Sequence, residues 1–428
     1  MQVTVGLDFG THQSKVCIEK IEGRVVEYSF LKFENEYRRE FYTLPSIINI
    51  GEAGLLTYGY LPRNIKGERV RYFKQAAFCT NSIQGLDRQK AMFYSCWYLA
   101  YILFDLEERY GQTFTVQMGA PTDSGHLRDA KRTAVRILGS AYNLVENVFK
   151  NDKAAFLATD IYKLEEMTTI LPYSKALKED CGILVFPEAY ACLKPLTSRG
   201  RIAEGMNLMV DIGGGTTDIS FFTIEPEDEE NKSKVKIPQV YDFLSIDKGL
   251  NFLTMARADD KRDDSDSNVK SSREINEKRL YQYRKEMDSV CRNLILRLHT
   301  EFHQQSSLSA SALENALKNR PIIYCGGGST FKILRKKYAN FSECLQVSEQ
   351  EWDRKSVVDM DEIIRLGLCP ILSTAYGLSI HAKSDSIKCK PFKDIFDKDG
   401  LRNKTQGYNS YNNDNHYRSV YDDWDAIK

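Results

Sequence analysis

Asp8 and Asp211 each close an apolar run and open a turn of glycine and threonine. The first stretch reads VGLDFGTHQS, from Val5 to Ser14, and the second MVDIGGGTTD, from Met209 to Asp218. A third, YCGGGST, runs from Tyr324 to Thr330 without the acid. Glycines remove side chains, so backbone amides can approach a bulky anion. Successive amides in such a turn form an anion nest, and threonine hydroxyls add donors. A carboxylate just before that nest repels phosphate on its own. It makes sense with a magnesium ion and its waters between carboxylate and phosphates. One DxGGGT also serves as a tight hairpin with no ligand, but the recurrence of the pattern favours a nucleoside triphosphate held between two halves. The chain has no GxxxxGK[ST], and no GxGxxG opens a Rossmann unit.

The elements that must position these turns are legible around them. Val3, Val5, Leu7 and Phe9 alternate onto one side of a strand. KVCIEKI and VVEYSFLKF continue as an antiparallel meander, FTVQMGAP reads as a short buried strand, and GILVFP as a strand followed by the helix EAYACLKPL. NLMVDIGG and TDISFFTI form a hairpin with VYDFLSI returning beside it. PIIYCGGGST is a further strand, with a helix expected from Phe331 to Tyr338. Helices are also expected over 87–110, DSGHLRDAKRTAVRILGSAY, 272–305 and CPILSTAYGLSIHAK. Residues 145–180 fit no single reading. A strand–Asp–Gly–Thr hairpin followed by a strand-to-helix element occurs twice. The fold class implied is α/β, a duplicated domain pair with a cleft between the halves.

The 428 residues suggest about two or three domains. With 42% hydrophobic and 28% charged residues, most of the chain should fold around sizeable cores. Lys plus Arg and Asp plus Glu both number 59, so there is no general pull toward nucleic acid or an anionic membrane. No apolar run approaches the ~18 residues of a membrane span. The ten cysteines stand singly without a CxxC pair. That fits buried, reduced thiols better than a disulfide framework or a zinc site. A chain that opens directly as a strand, with no basic head, is expected in the cytoplasm.

With these motifs in hand, the chain resembles a known superfamily, that of actin, sugar kinases and heat-shock chaperones. VGLDFGTHQSKVCI resembles its first phosphate motif, MVDIGGGTTDISFF its second, and IIYCGGGSTFKIL its adenosine motif. FPEAYACL and LSTAYGLSIHA resemble the two connecting helices, and LPSIINI with YFKQAAF resembles the early lobe of DnaK-type chaperones. The five motifs frame residues 1–382. The resemblance implies two actin-like (ribonuclease H-like) lobes around a nucleotide cleft. The first would cover 1–187, with an inserted subdomain at about 32–110 and an insertion at about 145–180. The second would cover 188–382, with a reduced helical subdomain at about 246–320, before a polar tail at 383–428.

Residue by residue, the resemblance implies that Asp8 and Asp211 hold magnesium through water, with Asp218 orienting those waters. Gly10, Thr11, Gly213, Gly214, Gly215 and Thr216 would bind the phosphates of ATP or ADP. Glu188 would position or activate the attacking water, and Lys74 would place a cation near the γ-phosphate. Gly327, Gly328 and Ser329 would approach the adenosine. Such a site works by positioning and charge neutralisation, with no covalent intermediate. Glu188 also reads as a dipole partner at a helix start, and Lys74 as a surface lysine.

Departures from the family narrow the reading. His12 stands where chaperones usually carry a second Thr. It reads as a turn residue that also suits a phosphate contact titrating near neutral pH. Phe331 stands where an Arg usually meets the adenine, and serves either as a stacking face or as core. On the second lobe only Arg284 and Lys285 offer themselves as adenine clamps. About 50 residues follow the last motif, too few for the peptide-binding domain of a DnaK-type chaperone. The expectation is therefore a slow, stand-alone chaperone-like ATPase that opens and closes its lobes, with a protein partner sensing the change. The alternatives are a filament-forming actin-like ATPase, in which self-assembly matters, and a nucleotide-binding scaffold with little turnover. A small-molecule kinase lacks a recognisable acceptor-site acid.

Other features have plainer readings. His299 and His303 lie in HTEFH, not HExxH, and suit a helix surface. Cys192, Cys291 and Cys325 read as core packing. The charge runs at 225–236 and 258–266 read as solvated loops, and the tail with Tyr408, Tyr411, Tyr417, Tyr421 and Trp424 as poor core material.

Overall fold

A computed structural model of the protein describes residues 1–35, 38–59, 67–78, 85–111, 113–121, 127–198, 205–226, 236–254, 275–305, 318, 320–339 and 341–384. The charged stretches 227–235 and 258–266 and the tail from residue 385 lie outside the described residues.

Two sheets share one five-strand order, the first carrying the short strand Leu44–Pro45 as a sixth. The first contains β1 (Gln2–Asp8), β2 (Gln13–Glu22), β3 (Val25–Phe30), β4 (Phe114–Ala120) and β5 (Ile183–Pro187). Their spatial order is β3-β2-β1-β4-β5, antiparallel on the hairpin side and parallel on the other. The second contains β6 (Gly205–Ile212), β7 (Thr217–Pro226), β8 (Lys236–Ile246), β9 (Pro321–Cys325) and β10 (Glu343–Gln346). Its order, β8-β7-β6-β9-β10, repeats the same pattern with the same senses. This doubled order makes the chain an α/β protein with a duplicated sheet, as the recurring hairpins imply.

The helices explain why the central strands are apolar on both faces. Every residue of β1 after Gln2 is buried, the pattern of a strand covered on two sides. α1 (Phe73–Phe78), α2 (Arg88–Tyr110) and α3 (Leu127–Asn143) belong to the first half. α2 starts at the expected place, where the Asp87 carboxylate accepts the Lys90 amide at 2.9 Å as an N-cap.

Two further helices cross between the sheets. α4 (Glu188–Ser198) follows the first sheet but packs on the second. Its Ala189, Cys192, Leu193 and Leu196 join Met209, Phe222, Val240 and Ile323 in one core. α5 (Leu250–Leu253) is a single turn, and α6 (Glu277–Gln305) the long helix expected within 272–305. α7 (Cys369–Ser379) follows the second sheet but packs on the first, where Leu372, Ala375 and Tyr376 meet Cys17, Tyr28 and Phe30. Two glycines permit these crossings. A Cβ on Gly377 would stand 1.8 Å from the Ala191 carbonyl oxygen, and one on Gly6 would stand 2.2 Å from the Ser379 amide.

Two regions differ from their sequence reading. The helix expected from Phe331 to Tyr338 does not form. Two 3-10 turns, Gly327–Thr330 and Lys332–Leu334, take its place. The Tyr324 hydroxyl donates to the Lys336 carbonyl and accepts the Lys336 amide, taking backbone groups that a helix would need. Residues 145–180, unreadable in sequence, hold a π-turn at Leu144–Val148 and three short helices, Lys153–Leu157, Ile161–Met167 and Lys175–Asp180.

Candidate active site

Asp8 ends β1, and the hairpin register places Lys15 opposite it. The Lys15 ammonium bonds the Asp8 carboxylate at 2.7 Å. Gly10 is required by its own turn, since a Cβ would stand 2.2 Å from the Gln13 carbonyl oxygen. The LPSII stretch buttresses this turn. Leu44 and Pro45 pair with Ser14 and Gln13, the Ser46 hydroxyl donates to the Gly10 carbonyl at 2.6 Å, and the Ser46 amide donates to that of His12 at 2.9 Å.

The second hairpin repeats the plan. Asp211, one residue before the end of β6, pairs in register with Asp218 on β7. The Gly213 amide closes the turn on the Thr216 carbonyl at 2.9 Å, and the Thr216 hydroxyl donates to Asp218 at 3.1 Å. Leu250 and Asn251 of α5 donate their amides to the Gly213 and Gly214 carbonyls. Among the described residues, no backbone carbonyl outside the strands takes the Gly214 or Gly215 amide. The two hairpin tips touch across the cleft. A Cβ on Gly214 would lie 2.5 Å from that of His12, and one on Gly215 would lie 3.1 Å from Thr11 Cγ2. His12 Nδ1 also lies 3.3 Å from Asn251 Nδ2 of the side-chain amide.

The third glycine turn packs against the second hairpin. A Cβ on Gly326, whose φ is +78°, would meet Asp211 Oδ1 at 2.1 Å, and one on Gly328 would meet Ile212 Cγ2 at 2.2 Å. A Cβ on Gly327 would meet nothing within 4 Å. The Ser329 hydroxyl donates back to the Gly326 carbonyl at 2.7 Å and is fully buried. On the other side of the cleft Glu188, the first residue of α4, forms an ion pair with Lys74 of α1. Both are largely buried, and Lys74 Nζ also lies 5.7 Å from the Phe9 ring centroid.

These parts enclose one cavity of about 640 Å³. Asp8, Gly10, Thr11, His12, Lys74, Glu188 and Asp211 all line it. So do Gly213, Gly214, Gly215, Thr216, Asp218, Gly327, Gly328 and Phe331. Ser329 does not line it. Nor do Arg284, which donates to the Ile333 carbonyl, or the exposed Lys285. Sequence reasoning passed over Lys15, Gly326, Gln346, Ser348 and Thr374, which do. The hairpin register alone points to Lys15, because it faces Asp8 across the turn. Gln346 is held in place by donating to the Ser329 carbonyl at 3.0 Å.

Five carboxylates, Asp8, Asp211, Asp218, Glu188 and Glu349, and two ammoniums, Lys15 and Lys74, line this cleft. If all are ionised, three negative charges remain. Burial pushes the Asp211 carboxyl up to about 6, with Asp8 and Glu188 adding to the effect. Burial also pushes Asp218 up to about 7, with Glu188 and then Asp211 adding. The Asp218 Oδ1 atom is buried without a hydrogen-bond partner. A hydrated divalent cation meets both needs, the surplus charge and the orphaned oxygen, so the donor set fits magnesium.

No family model matches the chain, and no curated protein matches it. Among solved structures, the crystal structure of MreB5 of Spiroplasma citri bound to ADP matches with 14% identity and a TM-score of 0.28. The match covers 58% of this chain and 53% of that one, so the chain spans about half of its length. The fold assignment rests instead on the doubled sheet order.

Proposed function

We propose that the protein is a magnesium-dependent ATPase, a nucleotide-driven switch of the heat-shock chaperone-like type. The observation that carries the reading is convergence. Both Asp-bearing hairpins and the third glycine turn meet at a single cleft with a surplus of carboxylate. Ligands bind at such carboxyl ends of strands in open α/β sheets. The Ser46 buttress under the first turn and the Lys74–Glu188 pair support the chaperone-like branch over the others.

In this reading the Gly213–Gly215 turn and the Gly10–Thr11 turn cradle the phosphates through amides and hydroxyls. Asp8, Asp211 and Asp218 would hold magnesium through its waters, and the ion would supply positive charge to neutralise the phosphates. Glu188 orients the attacking water, which cleaves ATP to ADP and phosphate. Lys74 fixes the Glu188 carboxylate and lies ready for the γ-phosphate. Gly327, open to the cleft, lets the backbone approach the nucleoside, and Phe331 offers it an apolar wall.

Phosphate release from ATP with magnesium tests the proposal. Wild type is expected to turn over slowly, and Asp211→Asn to lose magnesium-dependent turnover while keeping its thermal unfolding profile. Unchanged turnover in that variant would sink the site. Glu188→Ala is expected to slow hydrolysis about 100-fold or more, as loss of a positioned base does, with ATP affinity much less changed. Equal losses of binding and turnover would make Glu188 structural.

A further inference from the structure

Two buried thiols share Asp211 with the magnesium position. Asp211 and Cys325 are directly paired neighbours on the parallel strands β6 and β9, so their side chains project to the same face. α4 packs on that face and supplies Cys192. Cys192 Sγ lies 3.6 Å from Asp211 Oδ2 and 2.9 Å from the Thr374 hydroxyl of α7. The two sulfurs and the carboxylate oxygen all lie within 4.8 Å of one another, and all three residues are buried. Cys325 Sγ has the Val210 carbonyl at 3.9 Å.

We propose that Cys192, Cys325 and Asp211 form a site for a thiophilic divalent cation of the zinc class. A tetrahedral zinc with sulfur at about 2.3 Å and oxygen at about 2.0–2.2 Å holds its ligands about 3.5–3.8 Å apart; Cys192 Sγ and Asp211 Oδ2 already stand at 3.6 Å, and the whole triad lies within 4.8 Å. Two thiolates select a soft or borderline metal over magnesium, and Thr374 supplies a nearby oxygen. Binding is a balanced exchange: each thiol releases one proton, two metal–sulfur bonds form, and no electron moves. Linear spacing in the chain hides such a site, because its ligands come from α4, β6 and β9. Ordinary core packing explains a buried thiol among apolar groups, but not two thiols converging on a carboxylate.

The consequence rests on the nucleotide reading above. Asp211 would share one carboxylate charge between two divalent ions, so soft-metal binding weakens its hold on the waters of magnesium. Zinc and magnesium–ATP then oppose each other, and by linkage each weakens the other by the same factor. The cation site becomes an inhibitory input to the ATPase, set among the two crossing helices.

The test titrates the reduced full chain with cadmium, read by the thiolate-to-cadmium ultraviolet band, and with zinc by calorimetry, both without nucleotide. One tight equivalent is expected, with one proton released per thiol. Cys192→Ser and Cys325→Ser are each expected to weaken it beyond the roughly 100-fold that loss of a mere outer-shell partner costs. Cys291→Ser, in the separate core of the second lobe, is expected to leave it unchanged. Absence of tight binding, or binding that survives both serine variants, overturns the site. Should those variants misfold, zinc-edge X-ray absorption on wild type decides. Two sulfur neighbours with oxygen support the triad, and any other sulfur number overturns it. Magnesium–ATP is then expected to lower zinc affinity, and an unchanged affinity overturns the coupling. Zinc binding through both thiols in a protein that binds no ATP keeps the metal site and removes the nucleotide reading alone.

Discussion

Lys15 holds Asp8 at 2.7 Å and also feels Asp211 and Glu188. Burial alone would lower its ammonium, but Asp8, then Asp211 and Glu188, outweigh burial and hold it above its ordinary value. A polyphosphate entering the cleft offers this cation a second anion. Lys15→Met deletes a charge-assisted hydrogen bond worth about 1.5–3 kcal/mol, so ADP affinity is expected to fall about tenfold or more. Titration of both proteins with ADP measures this, and equal affinities would mean that Lys15 never leaves Asp8. Glu107 on α2 poses the opposite case, for both its oxygens are buried without a partner. Burial, with Glu146 adding, raises it from 4.5 to about 7. The folded chain therefore keeps this proton longer than the unfolded one. The stability it contributes is complete below pH 4.5 and is lost as pH rises through about 7. Glu107→Gln removes the titration. Thermal unfolding of wild type is expected to lose about 1–2 kcal/mol relative to the variant between about pH 5 and 8, after allowance for solvent screening. Parallel pH curves would mean that water reaches the carboxylate.

At the scale of elements, the crossing of α4 and α7 depends on missing side chains. At Gly377 the obstacle is the Ala191 carbonyl, which is backbone and cannot swing aside. Gly377→Ala is expected to force the helices apart at a cost of about 1–3 kcal/mol or more. Gly327→Ala meets nothing within 4 Å and is expected to leave the unfolding temperature unchanged. Thermal unfolding of the two variants side by side makes the comparison, and equal midpoints would mean that the helix pair yields freely. Which elements were legible follows from how each announces itself. β1, β6 and β9 combine apolar runs with abrupt glycine turns, and the hairpins alternate with period two, so the doubled architecture and the glycine and aspartate residues of the three turns stood out in the chain, while Lys74 came only with the family resemblance. β10 is four residues, ECLQ, paired only on one side, and carries no such signal. The helix expected after Phe331 fails because a distant tyrosine hydroxyl captures its backbone. Lys15 was hidden because a lysine in a strand looks like any solvated residue until the register sets it against Asp8. The thiol–carboxylate triad was hidden because three elements far apart in sequence build it.

At the scale of the molecule, the two lobes are joined by more than the crossing helices. After β10 the chain runs back to the first sheet. The Tyr28 amide donates to the Ser356 carbonyl at 2.7 Å, and the Val358 amide donates to that of Tyr28 at 2.8 Å. Trp352, fully buried, stacks between Phe30 and Tyr376 at centroid distances of 5.6 and 4.7 Å. One chain thus contributes both walls of the cleft, the crossing helices between them and a strap at the edge of β3. In the proposed reading every residue given a role in turnover comes from this same chain, which favours turnover by a single copy. Among the described residues with large exposed apolar side chains, Tyr281 and Leu296 share α6 but stand about 22 Å apart along it, and Tyr162 and Ile333 come from other elements, whereas an assembly interface calls for a contiguous apolar patch. The rate of phosphate release per chain is therefore expected to stay constant as protein concentration rises from well below to well above the micromolar range. A rate that appears only beyond a threshold concentration would transfer the activity to an assembled state, and the filament-forming alternative would replace the switch. Light scattering in the same samples separates the two, since a switch scatters in proportion to concentration at every nucleotide state, while a filament scatters in excess once ATP and magnesium are present.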